Sequence, residues 1–299
     1  MSAELRSDAI LAENRPLPEA LEGKSAAVRA FRWIVDLFFN LSAIALVVAS
    51  VALTVGVVAG HLLGRALEWQ DEVEIFLVAG AVFISAAAVQ ARRGHVGIEI
   101  FSSFLPPGWL NARNLLIDAF SLLFIGFMAW KSGTLLHEAW VEEQVSQSTW
   151  APPLWIPYSL MTFGMALLAL QLALQVGERS LAMLLAVIAG IAALLLWDRP
   201  VTPLLSASDP ATIGVAYCAA TLLVMFSGIP IAFALGVVAT AFMIAFMPRA
   251  SVDTITQNVY EELANVIILA IPLFILKGAA IGRSDAGRDL YTALHAWLH

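Results

Sequence analysis

Between Trp69 and Glu99 the chain reads WQDEVEIFLVAGAVFISAAAVQARRGHVGIE, and this stretch limits the possible folds more than any other. Trp69, Asp71, Glu72 and Glu74 open it, and Arg92, Arg93, Gly94 and His95 close it. No full charge lies from Ile75 to Ala91. A membrane-spanning helix needs about 17–25 apolar residues, so this run is close to the minimum and its flanks carry the positional information. Arg and Lys are retained on the cytoplasmic side and Trp favours the water–lipid interface. The stretch therefore predicts a span whose acidic end faces out and whose basic end faces in.

The rest of the 299 residues agrees with a lipid-solvated chain. Hydrophobic residues make up 60% and charged residues 13%, with mean hydropathy +0.84. A soluble domain carries roughly 25% charged residues. The net charge of −7 says little about partners, because orientation follows local Lys and Arg placement. The one cysteine, Cys218, excludes an intrachain disulfide and a cysteine metal cluster, and its apolar setting predicts a buried small hydrophobe.

Residues 1–32 are polar and read as a cytoplasmic tail. The run Trp33 to Leu63 is far longer than the ~7–15 apolar residues of a signal peptide and reads as the first span. It holds Gly56-x-x-x-Gly60 and Gly60-x-x-x-Gly64, a spacing that lets helices approach closely. After the second span, Val96 to Leu105 is too short to cross, is stopped by Pro106 and Pro107, and reads as a helix lying in the interface. A third span begins at Leu115 and continues as helix towards Trp140, with Asp118 near its start placed to snorkel. Pro152, Pro153 and Pro157 open a fourth span ending near Gln175, and a short loop leads into a fifth run, Leu181 to Trp197. Runs from Ala211 to Phe226, Ile231 to Met247 and Val266 to Ile281 follow, with a polar helical stretch, Ser251 to Asn265, before the last. Gly287 to His299 is amphipathic. The fold class is thus an all-α integral membrane protein of about eight transmembrane helices plus an interfacial amphipathic helix, N-terminus cytoplasmic.

Successive loops support this orientation. The tail holds Arg6, Arg15, Lys24, Arg29 and Arg32; the next loop holds Arg65 beside acids. Arg92, Arg93 and Arg113 follow, then Lys131 beside Glu138, Glu142 and Glu143. Basic and acidic loops alternate, so four spans form a unit with both ends inside.

Catalytic chemistry finds little support. Haem ligation needs histidines facing each other within the bundle, but His61, His95, His137, His295 and His299 lie at span ends or in loops. His137-Glu138 opens like a zinc-protease motif, yet no second histidine follows on the same face. No Gly-rich phosphate loop is present, no nucleophile–histidine pair has a suggestive spacing, and nothing points to nucleic acid. Intramembrane charge marks ion paths, and only Lys277 lies inside an apolar run, near enough to its end to snorkel. The expectation is no enzyme activity, no cofactor and no metal in this chain.

Trp69-x-Asp71-Glu72, an apolar span and Arg93-Gly94-His95-Val96-x-Ile98-Glu99 together resemble the small membrane subunit of TRAP transporters, the tripartite ATP-independent periplasmic family. Gly228-Ile229-Pro230-Ile231-Ala232-Phe233-Ala234-Leu235-Gly236 and Ala270-Ile271-Pro272-Leu273-Phe274-Ile275-Leu276-x-Gly278 are similar to the beginning of that family's large subunit. The resemblance implies a tail over 1–32, a small-subunit-like four-helix domain over 33–180, a linking helix and periplasmic segment over 181–210, and the start of a large-subunit-like domain over 211–299. The fifth run then supplies the crossing that joins an inside end to an outside beginning.

The family's large subunit continues well beyond the stretch matched here, through re-entrant hairpins that hold the sodium and substrate sites. No transport residue is carried over, and the expectation is a truncated product or fragment acting mainly as scaffold. What the resemblance implies is the membrane component of a sodium-coupled, binding-protein-dependent secondary transporter for organic acids in the bacterial inner membrane. Its partners would be membrane lipid, a periplasmic solute-binding protein and the remainder of the large subunit. Trp69 would anchor at the outer interface, Asp71 and Glu72 would cap the second span, and Arg92, Arg93, Gly94 and His95 would hold the inner edge near anionic headgroups. Glu138, Trp140, Glu142 and Glu143 are candidates for docking the binding protein. The alternative is a non-transporting membrane scaffold or interaction protein, or a non-functional truncated product.

Overall fold

The structure, a computed structural model, describes residues 26–64, 69–97, 107–196, 210–247 and 249–298. The expected interfacial helix falls largely on 98–106, outside the described residues. Among the described residues, four helices are long and apolar enough to span: α1 (Ala26–Leu63), α2 (Gln70–Ala91), α3 (Pro107–Val141) and α4 (Trp155–Arg179). Three shorter apolar helices, α5 (Leu181–Leu196), α6 (Pro210–Phe226) and α7 (Ile231–Phe246), match the next runs. The polar stretch folds as α8 (Arg249–Asp253) and α9 (Ile255–Leu263), followed by α10 (Val266–Arg283) and α11 (Asp285–Leu298). The chain is an all-helical integral membrane protein.

Helix starts follow local chemistry. Pro107 opens α3, where its missing N–H has no intrahelical partner to lose. The loop expected between the fourth and fifth runs shrinks to Ser180 alone, in extended conformation, which accepts from Leu184 N through its carbonyl and from Met183 N through Oγ. α5 then folds back along α3, its Gly190 against Leu123 and its Ile191 against Gly126.

α3 is the hub. At 35 residues it extends roughly 52 Å, longer than the ~30 Å hydrocarbon core, so both its ends reach polar surroundings. Towards one end, Ala119, Leu122 and Ile125 pack with Ala87 and Ala88 of α2, Leu172 and Val176 of α4, and Phe233 and Ala234 of α7. Towards the other, Leu135 and Ala139 pack with Ala79 and Phe83 of α2, Tyr158 and Met161 of α4, and Tyr260 of α9. One core therefore runs through both the first four spans and the helices after the link.

Small residues act at more places than the α1 motif. Gly164 of α4 lies on the backbone of Phe83, so any Cβ there would strike the Phe83 carbonyl. Gly80 of α2 lies under Leu160 in the same crossing. Within α1, Gly56 receives the Gln70 side chain, while Gly64 ends the helix at φ +64° with open space around it. Cys218, expected to be buried, is exposed. Among the described residues α6 packs mainly against α7, and many of its side chains, Cys218 included, are exposed.

Candidate functional site

The turn that ends α2 is built around an unusual residue. Arg93 N donates to Gln90 O at 3.0 Å and Gly94 N to Val89 O at 2.8 Å, the pair of bonds that defines a Schellman cap. In such a cap the left-handed position is normally glycine. Here it is Arg93, at φ 49°. The strained backbone aims its guanidinium at Asp118 of α3, with Nη2 to Oδ2 at 2.8 Å and Nη1 to Oδ1 at 3.5 Å. Arg179, in the last turn of α4, reaches the same Oδ2 through Nη1 at 3.0 Å. The Asp118 side chain is 2% exposed, so it does not snorkel; two guanidiniums satisfy it where it stands.

Neighbouring residues tie in further helices. Arg92 Nη2 donates to Asp36 Oδ1 of α1 at 3.0 Å, with its guanidinium 4.2 Å from the centre of the Phe39 ring. Gln90 Nε2 donates to Gln175 Oε1 at 2.9 Å, joining α2 to α4. His95 packs its ring on Phe233 of α7, centroids 4.9 Å apart. Burial holds its pKa below the ordinary value near 6.5, partly offset by a bond to the Ala86 backbone. Beyond it the chain pairs with the α6–α7 turn: Ile231 N donates to Val96 O at 2.9 Å and Gly97 bridges Pro230. Arg113 Nε completes the join by donating to Ser227 O at 3.1 Å. Gly228, at φ +91°, lies against that guanidinium and has no room for a Cβ.

The acidic residues gather at the opposite end. Trp69 is exposed and precedes α2 without a side-chain capping bond, and Asp71 and Glu72 stand in the first turn of the helix. Glu72 also accepts from the Ser146 hydroxyl in the α3–α4 turn. Gln70 Nε2 donates to Glu74 Oε1 at 2.8 Å, both side chains buried. Glu138, Trp140, Glu142 and Glu143 are all exposed; Trp140 stacks edge-on against Trp155 with centroids 5.2 Å apart. Lys131 pairs with Asp253 of α8, and Tyr158 meets Tyr260 of α9 edge-on at 4.9 Å. Burial first, then Tyr158 and Glu72, hold the Tyr260 hydroxyl well above its ordinary pKa. Among the described residues no three His, Cys, Asp or Glu side chains gather as a metal site.

The sequence places Arg92, Arg93, Gly94 and His95 at an interface, and the structure turns Arg93 and His95 inward onto other helices. Asp118, Arg179, Arg113 and Gln175 were missed. Their signal was parity: all lie at span ends that alternation assigns to one side.

Comparison with known proteins fits this join. The profile described as "Tripartite ATP-independent periplasmic transporters, DctQ component" matches residues 49–182, and the one described as "Tripartite ATP-independent periplasmic transporter, DctM component" matches residues 218–298. The chain belongs to the TRAP transporter family. Both membrane components of a TRAP permease are represented on it, in the order DctQ then DctM. A relative with both components, the isethionate TRAP transporter permease protein DctMQ of Oleidesulfovibrio alaskensis, is 24% identical over 224 residues, 74% of this chain. The matched part is 34% of that relative, so the chain spans about a third of its length. The basic-end cluster is therefore the seam between a DctQ-type and a DctM-type part.

Proposed function

We propose that this chain is the bracing part of a binding-protein-dependent, sodium-coupled importer of organic acids in the bacterial inner membrane, with its basic end in the cytoplasm. The observation that carries the reading is the seam itself. The DctQ-type turn at Arg93–Gly97 is hydrogen-bonded to the DctM-type turn at Ser227–Ile231, and α9 is packed on α3 and α4 at the other end. A DctM-type part held at both ends has a fixed frame in the bilayer. The named relative transports an organic anion, isethionate, which supports the substrate class. The acidic end presents Glu138, Trp140, Glu142 and Glu143 outward, and we assign them to docking a periplasmic solute-binding protein.

The test is binding of a TRAP-type periplasmic solute-binding protein to the chain in nanodiscs, followed by interferometry. Binding is expected to weaken with salt, because exposed charge pairs are screened, and the double reversal Glu142→Lys, Glu143→Lys should weaken it about tenfold, a change of ~1.4 kcal/mol. No binding by the unaltered chain favours a membrane scaffold outside transport. Binding untouched by the reversal moves the dock elsewhere.

A further inference from the structure

A cavity of about 120 Å³ lies within the seam. Arg93, Arg113, His95, Asn114, Asp118 and Ser121 line it, with backbone from Gly228 and Pro230. At ~30 Å³ per water it has space for about four waters, or for one tetrahedral oxyanion with a water beside it.

The lining is polarised towards an anion. Asp118 is already neutralised by Arg93 and Arg179, so its negative charge is spent. Arg113 uses Nε on the Ser227 carbonyl, and among the described residues its guanidinium meets no carboxylate. The wall is thus left with positive charge in excess. Ser121 supplies an independent observation. It is 1% exposed, and its Oγ has no partner. Buried Ser42, Ser50 and Ser132 each give their hydroxyl to a carbonyl three or four residues earlier in the helix. Ser121 is in the same helical setting and does not. His95 Nε2 is likewise buried and unpartnered on the same wall. Buried polar atoms are almost always partnered in folded proteins, so two orphans on one cavity wall point to a missing ligand.

We infer that this cavity binds a phosphate-type oxyanion, held by the Arg113 guanidinium and the Ser121 hydroxyl, with the His95 Nε2 accepting from a hydroxyl of the ligand, and thereby braces the seam between the DctQ-type and DctM-type parts. Arg93 stays on Asp118 and lends charge without leaving its partner. All three belong to the DctQ-type part; the DctM-type part reaches the cavity through Gly228 and Pro230, and Arg113 ties the site to it by donating to Ser227 O. A free phosphate and a phospholipid headgroup share this chemistry.

The experiment uses the full chain in phosphate-free detergent. Inorganic phosphate, and separately dihexanoyl phosphatidylglycerol, are titrated while the thermal unfolding midpoint is followed, with chloride at matched ionic strength as control. A saturable rise with either ligand, absent with chloride, is expected. Ser121→Ala removes a hydroxyl that has no other partner, so it should fold normally and bind at least tenfold more weakly. Arg113→Gln should do the same, and Arg283→Gln, an exposed position of α10 that does not line the cavity, should bind as the unaltered chain does. A rise with inorganic phosphate assigns the site to a free anion, and a rise with the phospholipid alone assigns it to a headgroup. No saturable rise with either, or equal binding by Ser121→Ala, overturns the inference and leaves a water-filled cavity.

Discussion

Arg93 sits at the left-handed position of a helix cap, where a side chain costs energy that glycine avoids. The guanidinium bond to Asp118 offsets that cost, so the residue carries two opposing contributions. Replacing it separates them. Arg93→Ala loses the ion pair and keeps the strain, whereas Arg93→Gly loses the pair and relieves the strain. The glycine variant should therefore be the more stable by about 1 kcal/mol, the reverse of the order within a helix. Asp118→Ala should cost more, roughly 2–3 kcal/mol, because two half-exposed guanidiniums lose a buried partner. Unfolding midpoints in detergent measure all three, and equal stability of the Gly and Ala variants would show that the cap stores no strain. His95 adds a pH dependence. Its folded pKa is depressed, so as pH falls through 6.5 the unfolded chain takes up a proton that the folded chain does not, and stability declines. The decline levels off once pH drops below the folded value. Arg93, Arg113 and Asp118 are the charged groups that line the same cavity. In phosphate-free buffer the unaltered chain should lose stability as pH falls from 7.5 to 5.5, and His95→Gln should flatten the curve.

At the scale of elements, the apolar runs predicted the helices closely, since lipid demands an uninterrupted helical backbone and leaves few other readings. The second run, Ile75 to Ala91, became α2 at Gln70–Ala91, and Ile231 to Met247 became α7 at Ile231–Phe246. Helix rotation was not legible, because a helix apolar all round carries no stripe to say which side faces protein. That is why Asp118 was read as snorkelling: its partners lie 25 and 61 positions away and meet it only once α2, α3 and α4 are turned correctly. The small-residue contacts show the same limit. The Gly56 spacing stood out in sequence, while the tighter crossing, Gly164 on Phe83, has no repeat to announce it. Gly164→Ala should therefore be destabilising by about 2 kcal/mol or more, as overpacking against backbone cannot be relieved by a rotamer change. Gly214, with nothing within 4 Å of the Cβ it would gain, is the control. Gly214→Ala should be neutral or stabilising by up to about 1 kcal/mol from helix propensity. Folded yield and unfolding midpoint separate the two, and a tolerated Gly164→Ala would mean that α2 and α4 lie farther apart.

For the whole molecule, the two family parts are joined by a covalent link, by a seam at each end and by packing between them, where Phe124 covers Gly236, Phe127 and Met128 meet Val252 and Ile255, and α10 touches α1 and α2. The covalent link runs through residues 197–209. The basic-end seam uses Gly97 with Pro230, Arg113 with Ser227 and His95 with Phe233. The acidic-end join uses Lys131 with Asp253 and Tyr158 with Tyr260. Exposed ion pairs contribute little, whereas buried aromatic pairs add about 0.5–1.5 kcal/mol beyond the area they cover. The two seams lie towards opposite ends of the helices and share no residue, so their contributions should add. A protease site placed within 197–209 tests this arrangement. After cleavage in detergent the fragments should still copurify through a tag on either one. Phe233→Ala should weaken the basic end and Tyr260→Ala the acidic end, each leaving most of the complex intact, while the double variant should release more of the untagged fragment than either single variant. Separation of the unaltered chain on cleavage would mean that the linker alone holds the parts together. Loss of the complex with Phe233→Ala alone would place the whole connection in the seam.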